Sequence, residues 1–269
     1  MNQTPLSGRT ALVTGSGRGL GRAIATQLAK LGASIVVHDI SREAPAEFGE
    51  AEDLDAVASG ISRFGVPTVA LTADIADEAA VHVLVETAEE RLGPIAILVN
   101  CAGGDIAARG GKPKPNDALG IPVRDIEAIM DRNLIGTMLV SRVVCPGMAQ
   151  RRSGSVVNIA SAAAQHAVTD GVAYAVAKAG IVQFTRCLAK DLRPHGVRVN
   201  AVSPGPTMTA RFMATRTTDP TKTDTSVPLD RYGLPAEIAD AVAFLCGDGA
   251  RFVSGQVLCV DGGLCLFPS

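Results

Sequence analysis

The sequence predicts an α/β protein in which one doubly wound sheet of seven parallel strands forms a single domain. Two observations carry that expectation. Short apolar runs rich in β-branched residues alternate with helical patterns over nearly the whole chain. Strands that are apolar on both faces belong to a parallel sheet covered by helices on either side. The 269 residues are 47% hydrophobic and 19% charged, enough for one large core, and seven strands with their crossovers use up the length. Residues 1–269 are therefore expected to form one domain, without internal repeats or low-complexity segments.

The first expected strand, Thr10–Thr14, leads through a glycine-rich turn into a helix over Leu20–Leu31. Ser34–His38 precedes a helix at Leu54–Arg63, and Thr68–Leu71 precedes one at Ala79–Arg91. Ile95–Asn100 is the fourth strand, with a long crossover helix over Val123–Val144. Ser155–Ile159 leads to a helix at Ala173–Leu192, Val197–Val202 to one at Ala236–Cys246, and Gln256–Val260 closes the set. Two stretches break the rhythm. Residues 103–122 are rich in Gly and Pro, and residues 204–235 are rich in Thr and Pro with little helical periodicity. Both follow strand C-termini, where open α/β sheets bind ligands, so both are expected to be substrate loops.

Composition narrows the function. A formal charge of −2 offers no basic excess for a nucleic acid or an anionic membrane. The longest apolar runs, such as Ile95–Val99, fall far short of the roughly 20 residues that span a bilayer. The start, Met1-Asn-Gln-Thr-Pro5, has no charged region followed by an apolar stretch, so a cytoplasmic protein is expected. Six scattered cysteines form no Cys-x-x-Cys pair, and the four histidines lie far apart; reduced thiols and no metal are expected. No Gly-x-Ser-x-Gly elbow supports serine-hydrolase chemistry.

Thr14-Gly-Ser-Gly-Arg-Gly-Leu-Gly21 joins the first strand to the first helix. It departs from the literal G-x-G-x-x-G fingerprint, because Leu20 stands where the last Gly would be. Gly15, Gly17, Gly19 and Gly21 still permit a tight turn and close approach of a pyrophosphate. The helix beyond them presents free N–H groups and the positive end of its dipole. With Ser16 and Arg18, this turn is a candidate dinucleotide site. Asp39, with Ile40 beside it, stands 18 residues after Gly21 at the end of the second strand. Its carboxylate can accept from the adenosine ribose hydroxyls and would repel the 2′-phosphate of NADP. Arg18 and Arg42 pull the other way, toward such a phosphate. NAD is favoured over NADP.

Tyr174-Ala-Val-Ala-Lys178 lies in a helical segment, so its two polar side chains are one turn apart. A phenol ordinarily titrates near pH ~10, too high for a base near neutrality. A neighbouring ammonium and an oxidised nicotinamide favour the phenolate. Such a pair is a reversible acid/base for interconverting an alcohol and a carbonyl.

Taken in order, these residues resemble the short-chain dehydrogenase/reductase family in its single-domain, Rossmann-like branch, from Gly8 to Gly263. The likeness rests on the turn at 14–21, Asp39, Asp74, Asn100-Cys-Ala-Gly103, Asn133, Ser161, Tyr174-x-x-x-Lys178, Pro204-Gly205, and Gly255-Gln256 with Asp261-Gly-Gly263. The resemblance implies Tyr174 as proton donor and acceptor, and Lys178 as the residue that lowers its pKa and holds the nicotinamide ribose. Ser161 matches the donor to the substrate oxygen, and Asn133 the residue that holds a water leading from Lys178 to solvent. Asn100, Ala102 and Gly103 match the segment that stabilises the central strand and lines the adenosine side. Asp74, with Ile75 beside it, matches the acid that meets adenine. Thr207, after Pro204 and Gly205, matches a hydroxyl that holds the carboxamide.

Cys101 departs from the second Asn of the family's N-N-A-G segment, and Ala160 from a frequent Ser. The stretches 41–59 and 103–122 look longer than usual. His166 is a candidate substrate contact, and Phe212 with Met213 a candidate apolar lid. Arg109, Lys112, Lys114, Arg211, Arg216 and Lys222 are each accompanied by nearby acidic residues, which reads as a solvated charge pattern. The expectation is an NAD-dependent oxidoreductase acting on a small-molecule secondary alcohol or ketone. An NADPH-dependent carbonyl or 3-oxoacyl reductase is the alternative, and a non-catalytic dinucleotide sensor the alternative of another class. The family's habit, and apolar residues in excess on the two long helices, point to a homotetramer with the C-terminal Leu264–Ser269 at an interface.

Overall fold

The computed structural model describes residues 4–266. The first three residues, and Phe267–Ser269 of the tail expected at an interface, lie outside the described residues. In chain order the elements are β1 (Thr10–Val13), α1 (Gly19–Lys30), β2 (Ser34–Asp39), α2 (Leu54–Ser62), β3 (Thr68–Thr72), α3 (Glu78–Leu92) and β4 (Ile95–Asn100). They continue with α4 (Val123–Met130), α5 (Gly136–Arg151), β5 (Gly154–Ile159), α6 (Val172–Leu192), β6 (Val197–Pro204), α7 (Ala210–Thr215), α8 (Pro235–Cys246) and β7 (Val257–Val260). The seven strands form one parallel sheet in the order β3-β2-β1-β4-β5-β6-β7. This is the doubly wound, Rossmann-like arrangement that the alternating pattern predicts.

Alternate strand residues face opposite layers, as the pleat requires. Ala11, Val13, Ile35, Val37, Ile97 and Val99 pack with α1, α2 and α8 through Ile24, Leu28, Leu54, Ile61, Ile238 and Val242. Leu12, Val36, Leu98 and Val156 face the other layer, where α3, α5 and α6 contribute Leu84, Val85, Val144, Met148 and Leu192. Both strand faces are thus dry, which explains their uninterrupted apolar sequence.

The crossover expected as one helix over Val123–Val144 differs in two ways. It extends to Arg151, and a π-helical turn over Asp131–Ile135 separates α4 from α5. Periodicity alone cannot register such a turn, because one extra residue shifts the face by less than the width of an apolar stripe. The loop at 204–235 also holds more structure than expected: α7, capped by the Thr209 hydroxyl accepting from Phe212 N–H at 3.1 Å, and a short turn at Pro220–Thr223. The stretch 41–59 is a 3-10 turn, Ala44–Phe48, followed by the start of α2, whose N-terminal amide at Ala56 donates to Asp53 at 2.7 Å.

The strand order reverses between β1 and β4, and their C-terminal ends frame the crevice where such sheets bind ligands. Thr14 stitches this point together: its amide donates to Val99 O at 3.0 Å, and its hydroxyl accepts from the amides of Cys101 and Ala102 at 3.0 and 3.1 Å.

Candidate active site

A cleft of about 1030 Å³ opens along the C-terminal edge of the sheet. It takes in the β1 turn at one end and the start of α6 at the other. The turn is shaped by close approach. Gly15 has φ +65°, and a Cβ there would come 2.7 Å from the Ala102 Cα. Gly21 is closer still, since a Cβ would meet the Gly15 carbonyl oxygen at 2.1 Å. The backbone therefore folds over itself and brings the α1 N-terminus to the wall of the cleft. Its affinity for anions is visible within the chain, because Glu50 Oε2 accepts from Gly19 N–H at 2.8 Å. A phosphate oxygen has the same acceptor chemistry, so the turn fits the pyrophosphate of a nicotinamide dinucleotide.

Asp39 closes the β2 end of the cleft; it is buried, and its Oδ1 accepts from Ile40 N–H at 2.9 Å. Burial raises its pKa above the usual carboxylate value, while the Ile40 amide and the Arg18 charge act to lower it. Arg18 itself is ion-paired to Glu47 and donates to Ala44 O at 2.9 Å, and Arg42 is ion-paired to Asp55. Ile40, Asp74, Ile75, Ala102, Gly103, Leu20, Pro204, Gly205 and Thr207 line the cleft as well.

At the far end, Ser161 follows β5, and Tyr174 and Lys178 follow one another along α6. The Ser161 hydroxyl, which accepts from Ala163 N–H at 3.2 Å, acts on the Tyr174 phenol and favours its ionised form. Lys178 is buried; its Nζ donates to Ile159 O at 2.8 Å and lies 5.6 Å from the centre of the Tyr174 ring. All three face the cleft. Burial outweighs the neighbouring charges. The Lys178 pKa is brought down to about 8 and the Tyr174 phenol is pushed up. The influences that lower the Tyr174 value are the Ser161 hydroxyl and the charges of Arg211 and Arg216. Lys178, expected to favour the phenolate together with an oxidised nicotinamide, is itself desolvated and lies over the ring face.

The remaining sequence candidates are placed elsewhere. Ser16 is wholly buried behind the turn, its hydroxyl donating to Val13 O at 2.7 Å and accepting from His38 N–H at 2.9 Å. Gly17 is backed by Asp39, Pro45 and Leu54, and neither residue lines the cleft. Asn100 lies beneath the floor, where its amide donates to Ser141 Oγ at 3.0 Å and Asn158 Oδ1 at 2.8 Å, tying β4 to α5 and β5. Asn133 is buried in the π turn. Its Oδ1 accepts from Gly104 N–H at 2.9 Å, and its Nδ2 donates to Gly104 O at 3.0 Å and Ile129 O at 2.8 Å. Both Nδ2 hydrogens are thereby given to backbone carbonyls, and Oδ1 keeps one lone pair free. His166 and Phe212 border the cleft, whereas Met213 points away into solvent.

Sequence reasoning missed two parts of the wall. Glu47 and Phe48 border the Asp39 end, and Asp105 with Arg211 and Arg216 borders the Tyr174 end. Asp105 is buried, and its Oδ2 accepts from Asn116 Nδ2 at 2.9 Å and from Arg216 Nη2 at 3.3 Å. Asn116 O in turn accepts from Gly171 N–H at 2.9 Å, which fastens the 103–122 loop to the start of α6. The charges were legible, but their pairing across loops was not. Among the described residues no cluster of His, Cys, Asp and Glu could hold a metal ion, and no helix is long and apolar enough to cross a membrane.

A family model described as enoyl-(acyl carrier protein) reductase matches residues 15–265. The chain is similar to the cyclohexanol dehydrogenase of a Rhodococcus species, with 35% identity over 268 residues that cover 97% of each protein. It is also similar to the 3-oxoacyl-[acyl-carrier-protein] reductase of a Synechocystis species, with 34% identity across 98% of this chain and 100% of that one. Among solved structures, a 7α-hydroxysteroid dehydrogenase complexed with NADH and 7-oxo glycochenodeoxycholic acid matches with a TM-score of 0.84. That match has 33% identity and covers 97% of this chain and 96% of the other.

Proposed function

The chain belongs to the short-chain dehydrogenase/reductase family, and on that premise we propose that it is an NAD-dependent dehydrogenase of a secondary alcohol. Family membership makes it an oxidoreductase acting on CH–OH donors with a nicotinamide dinucleotide. The observation that carries the finer reading is the convergence of Ser161, Tyr174 and Lys178 on one wall of the cleft, away from the glycine turn. Bound nicotinamide supplies the acceptor for the hydride that leaves the carbinol carbon. Ser161 holds the alcohol oxygen, and the Tyr174 phenolate takes its proton as the carbonyl forms. Lys178 favours that phenolate through its charge; in the reverse direction the phenol returns the proton.

The choice of NAD rests on charge. Asp39 lies buried at the β2 end of the cleft, the position that the family resemblance gives to the adenosine ribose, and both arginines that could attract a 2′-phosphate are ion-paired to carboxylates. A phosphate would have to displace Glu47 or Asp55 while facing Asp39. The likeness to a 3-oxoacyl reductase supports the competing NADPH reading. Comparing kcat/KM for NAD and NADP with a panel that includes cyclohexanol, other secondary alcohols and their ketones separates the two. NAD should be preferred, and Asp39→Ala should bring the two cofactors closer by raising kcat/KM for NADP. A wild type that already prefers NADP would overturn the assignment, and no turnover with either cofactor would favour a dinucleotide sensor.

A further inference from the structure

Besides Lys178, whose Nζ donates to Ile159 O, and Arg132, whose guanidinium donates to Ile106 O at 2.8 Å, the cleft beside Tyr174 is bordered by the basic side chains Lys112, Arg211 and Arg216. Lys112 is ion-paired to Asp170, and Arg216 lies 3.3 Å from Asp105 and 3.9 Å from Asp170. Arg211 differs. Its guanidinium meets carbonyl oxygens, Gly103 O at 3.4 Å and Asp105 O at 3.3 Å, both near the outer limit for such bonds. Among the described residues it forms no ion pair, and Glu47, whose field it feels across the cleft, is taken by Arg18. Burial holds Arg211 below the ordinary arginine value. A partly desolvated guanidinium without a counter-ion is unfavourable until an anion arrives.

The setting of Arg211 tells which anion. A Cβ at Gly19 would lie 3.5 Å from the Thr209 methyl, so Thr209 faces the phosphate end of the cleft. Arg211, two residues on, turns to the 103–105 segment instead. Room for it exists because residue 104 is Gly, where a Cβ would fall 2.2 Å from Nη1. Its charge is also felt by the Tyr174 phenol. A planar fork of N–H donors there matches a carboxylate.

We propose that Arg211 binds a carboxylate on the substrate, so that the alcohol oxidised carries a negative charge within reach of its carbinol carbon. This deepens the alcohol-dehydrogenase reading and rests on it. It also corrects the expectation that Arg211 belongs to a solvated charge pattern. A pyrophosphate oxygen of the dinucleotide would satisfy the same fork, and the test separates the two sources.

Cyclohexanecarboxylate and cyclohexanecarboxamide serve as binding probes of the NADH complex. 3-Hydroxycyclohexanecarboxylate and its methyl ester serve as substrates, in wild type, Arg211→Gln and Arg211→Lys, with NADH Kd measured for each. The acid should exceed the ester in kcat/KM by about tenfold or more, the scale of a charge-assisted hydrogen bond. Arg211→Gln should erase that preference through KM, Arg211→Lys should restore part of it, and NADH Kd should stay unchanged. Equal use of acid and ester by the wild type would overturn the proposal, whether or not Arg211→Gln folds. A weakened NADH Kd with the acid preference intact would assign the fork to the pyrophosphate and overturn it too. Carboxylate binding that needs Arg211, without turnover of any alcohol, would uphold the anion site and remove the secondary-alcohol reading.

Discussion

Single residues in the cleft are governed by burial first and by charge second. Tyr174 illustrates this: desolvation lifts its pKa, and the Ser161 hydroxyl with the charges of Arg211 and Arg216 works against that rise. Tyr174→Phe keeps the ring and deletes the transferable proton. Turnover should fall by about 10²–10⁴-fold, the usual contribution of a general acid or base, while NADH binding measured by fluorescence persists. His38 gives the pH dependence. It is buried, accepts from Gly15 N–H at 3.4 Å through Nδ1, and has Nε2 3.2 Å from Ala73 O. Burial lowers its pKa from 6.5 to about 4. Above the unfolded value both states are neutral; as pH falls from 6.5 toward 4 the unfolded chain takes a proton that the folded one refuses. Its contribution to stability is therefore present above pH 6.5 and is lost through that window, by about 3 kcal/mol in all. Denaturant unfolding at pH 7.5 and pH ~4.5 should show a smaller loss for His38→Asn than for wild type.

At the scale of elements, the π turn between α4 and α5 joins a loop to the core. Asn133 fills it, and its amide clamps both polar groups of Gly104 and the Ile129 carbonyl. Gly104 in turn borders Arg211, so the π turn sets where the 103–122 loop leaves β4. Asn133→Ala removes the side-chain partner of the half-buried Gly104 N–H, a loss on the scale of about 1–3 kcal/mol for an unsatisfied group, whereas Gly104 O keeps the Ile106 N–H at 3.1 Å. Relaxation of the loop reduces that cost. Thermal unfolding should shift downward, and proteolysis should begin within residues 103–122. An unchanged melting temperature with kcat reduced would instead indicate a direct role for Asn133 in proton transfer.

For the whole molecule, the surplus of apolar surface is smaller than the sequence implies. The apolar residues in excess on the two long helices, from which pairing between subunits is expected, include Ile135, Met138, Leu139, Val140, Ile181, Val182 and Phe184. Val140, Ile181 and Val182 instead belong to the chain's own core. Ile135 and Met138 remain exposed, and Val176 on α6 joins them at 56% exposure. Phe244 on α8, with Phe252 and Leu258 near the free edge of β7, forms a second exposed apolar group. A homotetramer built on two such surfaces is the proposed assembly. Sedimentation of the full chain should give a tetramer, and a chain cut after Gly263 should associate more weakly or show altered kinetics. A monomeric full chain would refute the assembly, and an unchanged truncation would refute the role of the tail.

By itself, the sequence determined the layers. Dry strand runs such as Leu12-Val13 and Ile97-Leu98-Val99 admit few alternatives to a covered parallel sheet, and Gly15 and Gly21 mark a turn that a Cβ would block. It also brought Tyr174 and Lys178 onto one helix by their spacing, since local periodicity decides which side chains share a face. What only the tertiary structure decided were contacts between residues far apart in the chain. The spending of Asn133 on Gly104, the pairing of Arg18 with Glu47 and of Arg42 with Asp55, and the isolation of Arg211 are of this kind. A charge pattern along a sequence is the same whether its members meet or not; the free energy depends on distance and desolvation, and those exist only once the loops have been folded over the sheet.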